Sequence, residues 1–154
     1  MRKALYFLGI LDDRDMDWMI RSGKKMTVAP GTHLIEQGKP TDWLYFVLDG
    51  AFVVYTRTAP RIAVLKAGEV VGEISFVDSR PPVAGVRAEV ESKVGAIPRT
   101  ALASKLQQDV GFAARFYRAV AVFLADRLRT TTDNVGTQEL QLDESIEEIG
   151  RAHV

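Results

Sequence analysis

The sequence predicts an α+β chain, in which an antiparallel β-roll or barrel lies between short N-terminal helices and a long C-terminal helix. Three observations predict it. Between residues 25 and 98, apolar side chains alternate with period two in runs of three to seven residues, separated by turns rich in Gly and Pro. Short strands at such close intervals close into a roll or barrel. Before residue 23 and after residue 99 the apolar spacing is instead that of a helix. Finally, 154 residues with 47% hydrophobic and 26% charged side chains suffice for a compact globular core.

Met1 to Arg21 reads as two short helices with a break. The first carries Leu5, Phe7 and Leu8. The second is announced by Leu11-Asp12-Asp13, where an aspartate can cap free N–H groups, and Met16, Met19 and Ile20 recur at helical spacing before a stop at Ser22-Gly23. Arg21, Lys24 and Lys25 form a solvated helix end whose charge complements the dipole.

Strands are then expected at Met26–Val28, His33–Ile35, Trp43–Leu48, Ala51–Tyr55, Ile62–Leu65, Glu69–Val71, Val83–Ala88 and Glu91–Ile97. Pro30-Gly31, Gln37-Gly38-Lys39-Pro40, Asp49-Gly50 and Ala67-Gly68 supply the turns between them. Pro98 ends the last strand, and Thr100 is the expected cap of a helix carrying Leu102 and Leu106. From Asp109 onward, Phe112, Phe116, Val120 and Phe123 occupy one helical face and Tyr117, Leu124 and Leu128 a neighbouring one. A surface that wide calls for two partners, the β-roll and a second copy of the same helix. Leu124, Leu128, Thr131, Val135, Gln138, Leu142, Ile146 and Ile149 continue it as a partial heptad seam, with a helix folded back on its own domain and ending at Gly136 as the alternative.

Composition removes several function classes. Lys+Arg and Asp+Glu balance at 20 each, so net charge argues for neither nucleic acid nor a membrane surface. The absence of cysteine excludes disulfides, thiol nucleophiles and thiolate metal sites. With two histidines, His33 on a strand and His153 at the extreme end, there is no metal-ligand spacing, and no nucleophile–base pair or Walker loop is present. The expected metal and cofactor content is none, and catalysis is not expected. Met1 to Leu11 is too short and interrupted for a signal peptide, and no apolar run has membrane length, so the expected location is cytoplasmic.

The stretch Val71-Gly72-Glu73-Ile74-Ser75-Phe76-Val77, followed by Asp78-Ser79-Arg80-Pro81-Pro82-Val83-Ala84, carries the chemistry. A strand that ends in glycine and opens into a helical turn over Ile74–Val77 leaves backbone N–H groups without partners, a concavity that favours an anion. Glu73 cannot hold a phosphate, but it can accept hydrogen bonds from a neighbouring sugar hydroxyl; its structural alternative is a carboxylate capping the short helix.

This stretch resembles the phosphate-binding cassette of cyclic-nucleotide-binding domains. Gly72 and Glu73 match the glycine and the ribose-binding glutamate, Pro81 the proline, and Ala84 and Val86 the small and apolar positions. Pro30-Gly31, Leu34-Ile35, Gly38 and Leu44 to Leu48 ending in Asp49-Gly50 are similar to the family's strand-and-turn run. The resemblance implies a jelly-roll-like fold of about eight strands and a ligand site comprising Val71, Gly72, Glu73, Ile74, Ser75, Arg80, Pro82, Val83 and Ala84. The family's phosphate-binding arginine falls on Pro82, which has neither charge nor N–H, and its following small residue falls on the larger Val83, expected to intrude on the site. Arg80 is the nearer replacement, since Arg87 should point to the face opposite Val86.

Ala125 to Asp143 is similar to the C-helix of the catabolite-activator branch of that family, which implies that Thr131 and Thr132 contact the base. Residues 1–135 then form the ligand domain and 136–154 a tail, a helical extension or a docking segment for a protein partner through Leu142, Ile146 and Ile149. Only 11 residues follow Asp143, so neither a helix-turn-helix domain nor direct DNA binding is expected. The implied function is a non-catalytic regulatory sensor for a cyclic nucleotide, cAMP foremost, dimerising and signalling through its C-terminal helix. The alternative is a degenerate domain without ligand that serves dimerisation or protein interaction, motivated by Pro82.

Overall fold

The computed structural model describes residues 9–73 and 78–130. By its internal contacts the chain divides into two compact units, Met1–Val120 and Ala121–Val154.

In the first unit, helix α1 (Asp13–Ser22) starts at a capping box. Asp12 accepts from the Asp15 N–H at 2.9 Å and Asp15 accepts from the Asp12 N–H at 3.0 Å, which satisfies two of the donors a helix start leaves open. The expected Leu5–Leu8 helix lies outside the described residues. One expectation for α1 is corrected: Met19 is buried, but Ile20 is 72% exposed, and the second buried residue is Asp15.

Eight strands follow: β1 (Lys24–Val28), β2 (His33–Ile35), β3 (Trp43–Asp49), β4 (Ala51–Tyr55), β5 (Ala63–Lys66), β6 (Val70–Val71), β7 (Gly85–Ala88) and β8 (Ser92–Pro98). They form two antiparallel four-stranded sheets, ordered β1-β8-β3-β6 and β2-β7-β4-β5. Tyr45, Val47, Val71, Val94 and Ala96 of the first sheet meet Ile35, Phe52, Leu65, Val86 and Ala88 of the second in one buried cluster. Burial of a side chain such as Phe52, fully enclosed here, contributes about 2–3 kcal/mol. This is the β-roll that the period-two pattern implied.

Leu44, also fully buried, alternates with the core-facing Tyr45. The first sheet is therefore covered on both faces along β3. Helices α1 and α2 (Arg99–Gln108) pack against β8, and a side chain at Gly23 would collide with the Ala96 carbonyl oxygen. Thr100 is not the cap of α2. That position is Pro98, which offers no side-chain acceptor; the Arg99 N–H instead donates to the Asp42 carbonyl at 2.8 Å, so a neighbouring loop does what the hydroxyl was expected to do.

Residues 110–120 form α3, capped by Asp109 through a 3.0 Å bond from the Phe112 N–H. Its expected inward face is observed, with Phe112 and Phe116 fully enclosed and Val120 at 1% exposure. Trp18 of α1 packs edge-on against Phe112 at 5.4 Å. Tyr117 is 42% exposed.

In the second unit the described residues 121–130 are helical, with Phe123 buried and Leu128 68% exposed. The seam beyond Thr130, Gly136 and the expected division at 135/136 lie outside the described residues.

Candidate functional site

Position in the roll explains why the stretch after Val71 is unusual. Strand β6 is the edge of the first sheet, paired with β3 through Tyr45↔Val71 and Phe46↔Val70, whereas β7 lies inside the second sheet between β2 and β4. Residues 72–84 therefore carry the chain from one sheet to the other. The crossing begins at Gly72, whose φ of +96° is left-handed backbone that glycine adopts without a Cβ penalty. A Cβ there would also stand 3.1 Å from the Trp43 carbonyl oxygen. Glu73 follows directly after this left-handed glycine and is 2% exposed. Removing a carboxylate from water is costly unless it is paired, so this burial marks a position committed to a polar partner.

The other expected residues are placed as follows. Val71 is 2% exposed and contributes its side chain to the core. Ile74 and Ser75, with Thr131 and Thr132, lie outside the described residues. The side chain of Arg80 is 85% exposed and closes on its own neighbour. Its Nε donates to Asp78 Oδ1 and Oδ2 at 2.9 and 2.8 Å, its Nη2 lies 2.7 Å from Oδ2, and the Arg80 N–H donates to Oδ1 at 3.0 Å. These bonds hold the Asp78 carboxyl below the usual carboxylate range and raise the guanidinium further above its own.

Pro82 is half-buried, and its carbonyl accepts from the Gly38 N–H at 2.8 Å. Val83 is 78% exposed, so it faces solvent instead of filling the crossing, and β7 begins at Gly85, two residues later than expected. Ala84 is half-buried. Among the described residues, no group of three or more His, Asp or Glu could hold a metal ion, and no helix is long and apolar enough to cross a membrane.

Arg87 and Val86 point to opposite faces as strand alternation requires: Val86 joins the core, while the Arg87 guanidinium lies over the Tyr55 ring at 5.4 Å. His33 meets the same ring edge-on at 5.7 Å, and Tyr55 occupies the space that a side chain at Gly85 would need. This outer-face group has a structural role. It packs on the face of the second sheet opposite the core, with Tyr55 against Gly85 at the start of β7.

Residue spacing did not reveal the contribution of the β2–β3 loop. Gly38 bonds Pro82, and Thr41, only 7% exposed, places its methyl group beside Gly72. The available signal was a left-handed glycine followed by a hydroxyl residue in a turn, a pattern that alone is not specific.

Comparison with known proteins agrees with this geometry. A family model for the cyclic nucleotide-binding domain matches residues 25–109. The N-terminal domain of a transcriptional regulator from Streptomyces coelicolor A3(2) is 30% identical, the match covering 83% of this chain and 91% of that one with a TM-score of 0.64. A cyclic nucleotide-binding domain from Methylobacillus flagellatus KT is 20% identical, covering 87% and 83% with a TM-score of 0.75. The regulatory subunit of a cAMP-independent protein kinase A from Trypanosoma brucei is 23% identical, covering 67% and 42% with a TM-score of 0.57. No curated protein matches the chain. With more than half its length matched by the family model and the two-sheet roll in place, this chain belongs to the cyclic nucleotide-binding domain family.

Proposed function

We propose that this protein is a non-catalytic sensor that holds a cyclic nucleotide of the cAMP or cGMP kind at the crossing from Gly72 to Ala84 and reports its presence through the C-terminal helix. The observation that carries the reading is Glu73, a carboxylate 2% exposed directly after a left-handed glycine, on the family's cassette. Such a group is suited to accept a hydrogen bond from the one ribose hydroxyl that the cyclic phosphate leaves free. Backbone N–H groups at the crossing would take the cyclic phosphate.

Pro82 and Arg80 make phosphate recognition non-standard. A guanidinium that already shares both oxygens of Asp78 must release them before it can turn to a phosphate, and this exchange lowers the net gain. Affinity for cAMP should therefore be weaker than an arginine at position 82 would give. Thr131 and Thr132 are the proposed base contacts. Output follows from population shift, a ligand favouring one disposition of the C-helix over another by its differential affinity.

Dimerisation belongs to the same proposal. Leu128 of the second unit is an exposed apolar side chain at a helical position that suits the matching helix of a second copy. The tail, residues 136–154, is proposed as a docking segment for a protein partner, with direct DNA binding and membrane association not proposed.

A second reading is favoured by the Arg80–Asp78 pair itself: a domain that has lost its nucleotide and acts as a dimerisation or interaction module. The kinase subunit named above is described as belonging to a cAMP-independent protein kinase A. Calorimetry of the full chain with cAMP, cGMP and a cyclic dinucleotide separates the two. Saturable heat with any of them supports the sensor; none with all three supports the module.

A further inference from the structure

The geometry points to residues 38–43, from the β2–β3 loop to the first residue of β3, as a brace that sets the backbone of the cassette at both ends and ties it to the start of α2. The brace would tune ligand affinity without touching the ligand; only that consequence rests on the function proposed above.

Contacts at three places carry the inference. At the far end of the cassette, the Gly38 N–H donates to the Pro82 carbonyl at 2.8 Å. At its near end, Gly72 packs so closely that a Cβ would lie 3.1 Å from the Trp43 carbonyl oxygen and 3.8 Å from Thr41 Cγ2. Behind both, the Asp42 carbonyl accepts from the Arg99 N–H at 2.8 Å, at a helix start that has no side-chain cap. Three successive residues, Thr41, Asp42 and Trp43, thus join the cassette to α2 with almost no intervening chain. The Trp43 carbonyl closes the space beside Gly72, so a shift of one is expected to be felt by the other.

Thr41 is the positioning residue of this brace. Its hydroxyl donates to the Trp43 carbonyl at 3.2 Å and accepts from the Trp43 N–H at 3.4 Å, fixing the peptide against which Gly72 packs. The residue is only 7% exposed, so the turn has little water to replace those bonds. Just before the brace, Gln37 Oε1 accepts from the Arg57 N–H at 3.1 Å, which ties the loop to the β4–β5 turn.

The test is amide hydrogen exchange on the full chain, paired with calorimetry using cAMP and cGMP, for Thr41→Val and Thr41→Ser. Valine keeps the shape and loses the hydroxyl, whereas serine keeps the hydroxyl. Thr41→Val is expected to speed exchange at the Gly38 and Arg99 amides by about tenfold while β4 and β8 amides keep their rates. It should also raise the dissociation constant of whichever nucleotide binds by roughly fivefold, with Thr41→Ser within about twofold of the parent on both counts. Unchanged exchange at Gly38 and Arg99 in Thr41→Val overturns the brace, and so does equal acceleration across the whole roll, which would mark a purely structural residue. If the parent chain binds neither nucleotide, the sensor reading fails, while the exchange result still decides the brace.

Discussion

Asp15 and Arg115 stand 100 residues apart in the chain and meet as a two-bond ion pair. Nε donates to Oδ2 at 2.6 Å and Nη2 to Oδ1 at 2.9 Å, with the carboxylate 3% exposed and the guanidinium 37% exposed. The same carboxylate completes the capping box of α1, so one side chain starts the helix and fastens it to α3. Hydrogen bonds from Arg115 hold the Asp15 carboxyl below its ordinary value, against burial, which acts in the opposite direction.

A carboxyl whose folded pKa is depressed adds stability above its unfolded pKa and loses it as pH falls toward the folded value. Asp109, held down by the Phe112 N–H and by Lys105, acts with the same sign. Thermal stability should therefore decline below about pH 5. Asp15→Asn should lower the melting temperature at pH 7 by roughly 5 °C and flatten that acid decline. Equal melting of the two proteins at both pH 7 and pH 4 would show the pair to be without consequence.

Gly50 and Gly31 separate backbone conformation from packing. Both have positive φ, +97° and +85°, but a Cβ at Gly50 would overlap the Ser92 side chain whereas Gly31 faces open space. Ser92 cannot move aside easily, because its hydroxyl accepts from the Ala51 N–H and donates to the Val90 carbonyl. Gly31→Ala should cost about 1–2 kcal/mol in urea denaturation. Gly50→Ala should cost about 2–4 kcal/mol. Equal costs would mean that Ser92 yields.

Pro82→Arg restores the family's guanidinium at its own position and retains the carbonyl that Gly38 needs. On the sensor reading, cAMP affinity rises by roughly ten- to a hundredfold, the value of one charge-assisted pair. No binding by either protein would indicate that the remaining cassette no longer presents a nucleotide site, and equal measurable affinity would mean that position 82 does not reach the phosphate.

Leu128 tests the proposed dimer. It is 68% exposed in its own unit, so Leu128→Glu should leave the fold intact. Sedimentation velocity at micromolar concentration should find the parent chain dimeric and the variant monomeric. A monomeric parent would remove the helix seam from the account.

Elements governed by local periodicity and turn chemistry were legible in the sequence. His33–Ile35 and Ala51–Tyr55 begin and end where alternation placed them, and the glycine turns at 31, 38, 50 and 68 all adopt positive φ. Features decided by distant chain were not. Ile20 fits the apolar period of α1 but lies outside its contact face, while Asp15 reads as a surface acid until Arg115 arrives from another helix. Thr100 was a reasonable cap by type; the Asp42 carbonyl, brought close by the pairing of β3 with β8, made it unnecessary. At the site, Gly72 and Glu73 are marked by motif spacing, but the burial of Glu73, the exposure of Val83 and the engagement of Arg80 by Asp78 are set by the three-dimensional packing of the crossing.

The most direct measurement compares nucleotide binding by the parent chain and by Glu73→Gln, using cAMP and cGMP in the same calorimeter. The account predicts saturable binding by the parent and a loss of at least about tenfold in the variant, since an amide accepts the free ribose hydroxyl less strongly than a carboxylate does. Binding of equal strength by both proteins, or by neither, would contradict it.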